Sequence, residues 1–118
     1  MKTLVLGASD KSSRYSCLAI HKLLQKNHEV AAIGKRKSKV ENVQIETEKS
    51  LFDDVDTITI YLNAQNQREY YDYIFSLKPC RIIFNPGAEN PELFQLAEKK
   101  SIKAIEACTL VMLSTGQF

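Results

Sequence analysis

Five short runs rich in β-branched residues and leucine recur along the chain, and most are separated by stretches with apolar residues at helical spacing. This alternation constrains the fold more than any other feature. Strand, helix and strand in succession force neighbouring strands to run parallel, with helices on both faces of the sheet. The runs are TLVLG, closed by Gly7; HEVAAIG, closed by Gly34; DTITIYL; CRIIFN; and IKAIEA. Between the first two, Tyr15 to Lys26 sets Cys17, Ile20 and Leu24 on one helical stripe, with Ala19 and Leu23 beside it. Asn27 follows as a left-handed stop. Asn66 to Leu77 predicts a second helix with Tyr70, Tyr71, Ile74 and Leu77 on one face. After NPGAENP, Asn90 reads as an N-cap with Pro91 at the first helical position, and Leu93, Phe94 and Ala97 then face inward. CTLVMLSTGQF is a terminal apolar segment of helical type. Residues 35 to 54 are polar and predict a loop, with a minor strand at VQIE and a capped turn near Ser50.

With 118 residues, the chain has the length of one domain. The expectation is a single α/β domain over residues 1–118, a doubly wound parallel five-stranded sheet in an order such as 3-2-1-4-5. Ligands of such sheets sit at the carboxyl ends of the strands, where the order reverses. The loops that follow the strands are therefore the place to look for chemistry.

The first of these loops is GASDKSSRY. Gly7 lets the backbone turn sharply beside a ligand. Ser9, Ser12 and Ser13 bring hydroxyls, and Arg14 brings a charge-assisted fork. The start of the next helix offers free amides and a partial positive charge, which suit a phosphate. A second reading, in which the serines merely cap that helix, stands beside this one. The loop lacks the second and third glycines of a dinucleotide fingerprint.

The second strand end is more discriminating. An NAD site would carry an acidic residue here to accept bonds from the ribose hydroxyls. This chain has Lys35, Arg36 and Lys37 instead. These cations favour a ribose that bears a phosphate, as in NADP at the 2′ position or coenzyme A at the 3′ position; a solvated basic loop is the alternative. The third strand end offers Tyr61, Leu62 and Asn63 to flank an adenine or a pantetheine arm, or simply to pack. The fourth offers Asn85, Pro86 and Gly87 in a tight turn at the same edge.

These segments together resemble a known family. IIFNPGAENPEL, then IEACTLVML, together with LVLGAS near the start, are similar to the small stand-alone CoA-binding proteins. Those in turn resemble the nucleotide-binding domain of the succinyl-CoA synthetase alpha subunit. The likeness runs through essentially the whole chain in the same order. It implies a Rossmann-like fold with coenzyme A or acyl-CoA as ligand. By that likeness, Gly7, Ala8 and Ser9 with Ser12, Ser13, Arg14 and Tyr15 hold the pyrophosphate. Lys35 and Arg36, after Gly34, meet the 3′-phosphate. Tyr61, Leu62 and Asn63 line the adenine or pantetheine path, and Asn85, Pro86 and Gly87 shape the neighbouring wall.

Catalysis is not expected. The synthetase works through a phosphohistidine on another domain. Here His21 falls mid-helix and His28 at a helix–strand junction opposite the ligand edge, and there is no Walker motif. Glu106 is a lone carboxylate without a partner for acid–base work. Cys108 opens the last segment just after a strand, at the ligand edge. Cys17, Cys80 and Cys108 form no CxxC and no metal-ligand spacing, so no metal site is expected and a reducing compartment is the simplest setting. The first residues, MKTLVLGASD, are too short in apolar length for a signal peptide or a membrane span. The reading is a cytoplasmic protein off the membrane. A formal charge of +2 gives no ground for nucleic-acid binding. Two other functions remain in view, a small NADP-binding oxidoreductase and a protein-interaction module whose terminal apolar segment packs on a partner or a second copy.

Overall fold

In the computed structural model, residues 2–118 are described. Seven strands form one sheet: β1 (Lys2–Ala8), β2 (Glu29–Gly34), β3 (Ser38–Val40), β4 (Val43–Glu46), β5 (Val55–Ile60), β6 (Arg81–Phe84) and β7 (Lys103–Glu106). Their order is β3-β4-β2-β1-β5-β6-β7. Every pairing is parallel except β3 with β4. The chain is thus a single α/β domain with a seven-stranded, mostly parallel sheet.

The expected count of five strands is corrected here. The minor strand expected at VQIE is β4, but it is half of a hairpin with β3, a strand not expected within residues 35 to 54. Its sequence looks polar because only one face is buried. Val40, Val43 and Ile45 turn inward while Lys39 and Gln44 face water, and Glu41 makes the turn at a φ of 53°. The hairpin also moves DTITIYL. It is not the third strand in space but lies directly beside β1 as β5. Counted over the parallel strands alone, the order is 3-2-1-4-5-6, with β4 in third place. The reversal falls between β1 and β5, which places the crevice at their carboxyl ends.

β1 is buried on both faces, which is why it reads as a continuous apolar run. Leu4 and Leu6 point into one core with Ile58, Ile60, Ile82 and Phe84. Val5 points into the other with Ala32 and Ile45. Each such leucine or isoleucine contributes about 1.5–3 kcal/mol by leaving water.

Five helices cover the sheet: α1 (Tyr15–Gln25), α2 (Ala64–Gln67), α3 (Tyr71–Ser76), α4 (Pro91–Lys99) and α5 (Thr109–Ser114). α1 buries Cys17, Ala19, Ile20 and Leu23, and it stops at Asn27, which adopts a φ of 65°. α4 begins as its sequence predicts: Asn90 Oδ1 accepts from the Leu93 amide at 3.2 Å, with Pro91 in the first turn. The single helix expected over Asn66 to Leu77 is instead broken. α2 starts earlier, capped by Asn63, and a tighter turn over Arg68–Tyr70 leads into α3. The break has a visible cause. Gln67 is fully buried, and its amide donates to the Leu62 and Ala88 carbonyls at 2.8 and 2.7 Å. That anchor holds α2, and Tyr73 and Ile74 of α3 reach the core. No helix among the described residues is long and apolar enough to cross a membrane.

Candidate functional site

The candidate site begins where β1 and β2 end and continues to the reversal between β1 and β5. β1 bulges between Leu6 and Ala8, so that Ala8 pairs with Gly34. Gly7 sits at a φ of +92°, and a Cβ there would stand 3.1 Å from Leu62. At Gly34 a Cβ would stand 2.3 Å from the Ala8 carbonyl oxygen. The two strand ends approach one another too closely for any side chain at position 34. Both glycines therefore shape the crevice through their backbone.

α1 leaves from this crevice. Arg14 is its N-cap residue, and no side chain caps the helix. The serines therefore do not cap α1 through their side chains. Ser9 Oγ accepts from the Lys11 amide at 3.1 Å, inside the loop, and none of the serines satisfies the first turn of α1. An uncapped start to an 11-residue helix leaves amides and the positive end of its dipole for an anion.

Two hollows adjoin at that start, and Arg14 lines both. The first has a volume near 400 Å³. Ala8 and Ser9 form one wall, Ser38 closes the other, and four cations, Lys11, Arg14, Lys35 and Arg36, face the space against one carboxylate, Asp10. Loop and second strand end, which lie more than twenty residues apart in sequence, share this space. The second hollow, near 300 Å³, is lined by Gly7, Ser13, Tyr15 and Ser16 on one side and by Tyr61 and Pro86 on the other.

Tyr61 has a property the sequence does not disclose. Its hydroxyl is buried and makes no hydrogen bond. Burial pushes its pKa up to about 12, against a lowering pull from the nearby Thr109 and Thr59 hydroxyls. Those hydroxyls are engaged with each other at 2.7 Å, and Thr59 also accepts from Asn85 at 2.7 Å. They stand close to Tyr61 without bonding to it.

Not every expected residue faces the hollows. Asn85 is buried, and its side chain is spent inside the protein: the amide donates to Thr59 Oγ1 and the Ile60 carbonyl, and the oxygen accepts from the Thr109 amide at 2.9 Å. It fixes the turn rather than lining the hollow. Asn63 caps α2 by accepting from the Asn66 amide at 2.9 Å, and Leu62 packs under Gly7. Gly87 holds a φ of +91° with open space around it, and its amide donates to Glu89. Ser12 is exposed on the loop and lines neither hollow. Conversely, Asp10, Lys11, Ser16 and Ser38 line the hollows and did not stand out in the sequence. Lys11 was legible as a cation inside the loop; Ser38 was not, because its place depends on the hairpin. His21 contacts the Glu41 carboxylate, and His28 packs edge-on against Phe118 at 5.0 Å. Cys108 lies half-buried just before α5.

A family model described as the CoA binding domain matches residues 1–114. No curated protein matches. A crystal structure of an uncharacterized protein is 46% identical, with a TM-score of 0.96 over 99% of this chain and 97% of that one. A conserved hypothetical protein from Pyrococcus furiosus is 22% identical, with a TM-score of 0.80 over 93% of this chain and 97% of that one. A protein from Thermus thermophilus is 16% identical, with a TM-score of 0.87 over 99% and 90%. The last two show likeness of fold alone. From its match over nearly its whole length, this chain belongs to the family of CoA-binding domains.

Proposed function

We propose that this domain binds coenzyme A or an acyl-CoA at the carboxyl edge of its sheet, as a Rossmann-like binding or regulatory module rather than a catalyst. The observation that carries the reading is the first hollow. It joins an uncapped helix start, suited to a pyrophosphate, to Lys35 and Arg36, suited to a phosphate on the ribose. One carboxylate among four cations leaves the space strongly favourable to a polyanion. Coenzyme A fits these residues: Gly7 to Ser9 and the start of α1 would hold the pyrophosphate, and the second hollow, with Tyr61 and Pro86, would take the pantetheine side. When bound, coenzyme A would supply a thiol that carries an acyl group. The histidines support a non-catalytic role, since each is engaged with another side chain outside the hollows.

Isothermal titration with coenzyme A, dephospho-CoA and NADP tests this. Coenzyme A should bind most tightly. Loss of the 3′-phosphate, or Lys35→Ala with Arg36→Ala, should weaken it by roughly tenfold or more, the worth of a charge-assisted contact. Equal affinity for coenzyme A and dephospho-CoA would remove Lys35 and Arg36 from the proposed role. Preference for NADP would turn the reading to a nicotinamide cofactor.

A further inference from the structure

Glu41 stands where its residue type is a poor fit. Val40 pairs with Val43, so Glu41 and Asn42 alone make the turn of the β3–β4 hairpin. Glu41 holds the first position of that turn at a φ of 53°. Two-residue hairpin loops favour glycine, asparagine or aspartate at positive φ, where a longer side chain is strained. Strain that a fold retains points to a use for the residue. The Glu41 side chain has a specific partner: its carboxylate accepts from Nδ1 of His21, on α1. That contact needs only the ring hydrogen on Nδ1 and no charge on the imidazole.

The contact joins the two elements that wall the first hollow. Arg14, the N-cap of α1, lines that space on one side, and Ser38, the first residue of β3, lines it on the other. Along the helix, Arg14 to His21 is a rise of about 10 Å. Along the strand, Ser38 to Glu41 is also about 10 Å. α1 and β3 thus leave the hollow together and share a core through Ile20 and Val40. His21 and Glu41 tie them at equal depth.

Lys35 and Arg36 lie on the link between β2 and β3. The start of the link is pinned, because Gly34 closes on the Ala8 carbonyl. Its end is Ser38, and β3 is the outermost strand of the sheet. β4 is the one strand beside it, and β4 meets β2 through two residue pairs, Ala32 with Ile45 and Ile33 with Glu46. Where β3 sits therefore depends on its tie to α1. We infer that Glu41 is a positioning residue for the ligand: braced on His21, it holds the hairpin against α1 and so fixes Lys35 and Arg36 at the first hollow. The inference rests on the ligand assignment made above for those two cations.

Isothermal titration of coenzyme A and dephospho-CoA tests it, on the parent, His21→Ala, Glu41→Gly and the double variant. Circular dichroism checks each fold, and amide hydrogen exchange is followed on the free proteins. The two side chains are 43% and 49% exposed, so their contact is worth a small factor. Each single variant should weaken coenzyme A by about three- to fivefold. Dephospho-CoA should lose less, because Lys35 and Arg36 meet the 3′-phosphate. Glu41→Gly also removes a negative charge about 10 Å from the hollow, which by itself would tighten an anion, so weaker binding reports the lost brace. The double variant should bind no worse than either single, since both break one contact. In free His21→Ala, amides of β3 and β4 should exchange about three- to fivefold faster, and those of β1 and β5 at the parent's rate. Variants that keep the parent's ratio of coenzyme A to dephospho-CoA affinity overturn the inference. So do losses that add in the double variant, or hairpin amides that exchange at the parent's rate. A parent that binds both ligands equally removes the assignment of Lys35 and Arg36 instead, and the exchange rates then decide the brace alone.

Discussion

Replacing Gly34 by alanine probes how tightly the crevice is built. The new Cβ would stand 2.3 Å from the Ala8 carbonyl oxygen and 2.9 Å from Ile45 Cγ2. Favourable contact between such atoms begins at about 3.5 Å, so β1 and β2 must part by roughly 1 Å at this point. The oxygen belongs to the backbone at the bulge of β1, and no rotamer change relieves the clash. The separation stretches one or two ladder hydrogen bonds, worth about 1 kcal/mol each. It also drives Ile45 into a packed core, where such crowding costs about 1–3 kcal/mol. Fewer unfolded conformations with alanine return about 0.4–1 kcal/mol. The net expectation is a loss of about 2–4 kcal/mol, which for a chain of this size lowers Tm by roughly 8–16 °C. Urea denaturation followed by circular dichroism measures it, and Gly87→Ala is the control. Position 87 has a φ of +91° but nothing within 4 Å of a Cβ, so only backbone strain of about 1–2 kcal/mol is at stake. A Gly34→Ala variant within about 0.5 kcal/mol of the parent, or less harmed than Gly87→Ala, would refute this account of the strand ends.

Tyr61 and Tyr73 each have a pKa pushed up to about 12, chiefly by burial, from an ordinary value of 10. In that window the unfolded chain sheds protons that the folded chain keeps, so stability is whole below pH 10 and falls as pH rises from there, by up to about 1.4 kcal/mol per pH unit for each tyrosine. Urea midpoints against pH should show the decline, Tyr61→Phe should make it shallower, and full phenolate absorbance already at pH 10 would show that solvent reaches these hydroxyls. Asn85→Ala strips the Thr109 amide and the Ile60 carbonyl of a buried partner and should cost about 2–4 kcal/mol, read as a lower thermal midpoint. A neutral result there would mean that water substitutes for the side chain.

The alternation of strands and helices was legible because β1, β2, β5 and β6 lie inside the sheet and carry their burial in their own residues, while β7, a four-residue edge strand, follows a well-signalled helix. Of the β3–β4 hairpin only β4 was, as the alternating piece VQIE; β3 was not. The hairpin is an edge element with one wet face, and its buried face amounts to Val40, Val43 and Ile45 in a stretch otherwise of polar type. Missing it put DTITIYL outside β2 instead of on the far side of β1, since the strand count settles which strand lies beside β1. The break between α2 and α3 was hidden for a different reason. A glutamine in a helical pattern reads as solvent-facing, whereas Gln67 is held by carbonyls from two other segments, Leu62 and Ala88, and its oxygen accepts from Asn90.

The same distinction divides the site. Residues whose contribution is charge or backbone freedom were visible: Arg14, Lys35 and Arg36 line the first hollow, Gly7 lines the second, and Gly34 lets the two strand ends approach. A lysine stays exposed and a glycine stays flexible whatever surrounds them. Residues whose contribution is a hydrogen-bonding side chain were not separable by sequence, because an asparagine in a turn can serve a ligand or the protein. Asn85 and Asn63 both serve the protein, one through Thr59 and Thr109 and the other through the first turn of α2. Tyr61 lies between these cases. Its ring lines the second hollow while its hydroxyl lies buried beside two threonines already bonded to each other. An unsatisfied donor at that depth costs about 1–3 kcal/mol, a cost that a ligand oxygen or a small shift of Thr109 toward the hydroxyl would remove. Tyr61→Phe separates the two. If a bound ligand takes the proton, the variant gains stability in the free protein and loses coenzyme A affinity by a similar factor. If Thr109 does, it loses stability and leaves affinity unchanged.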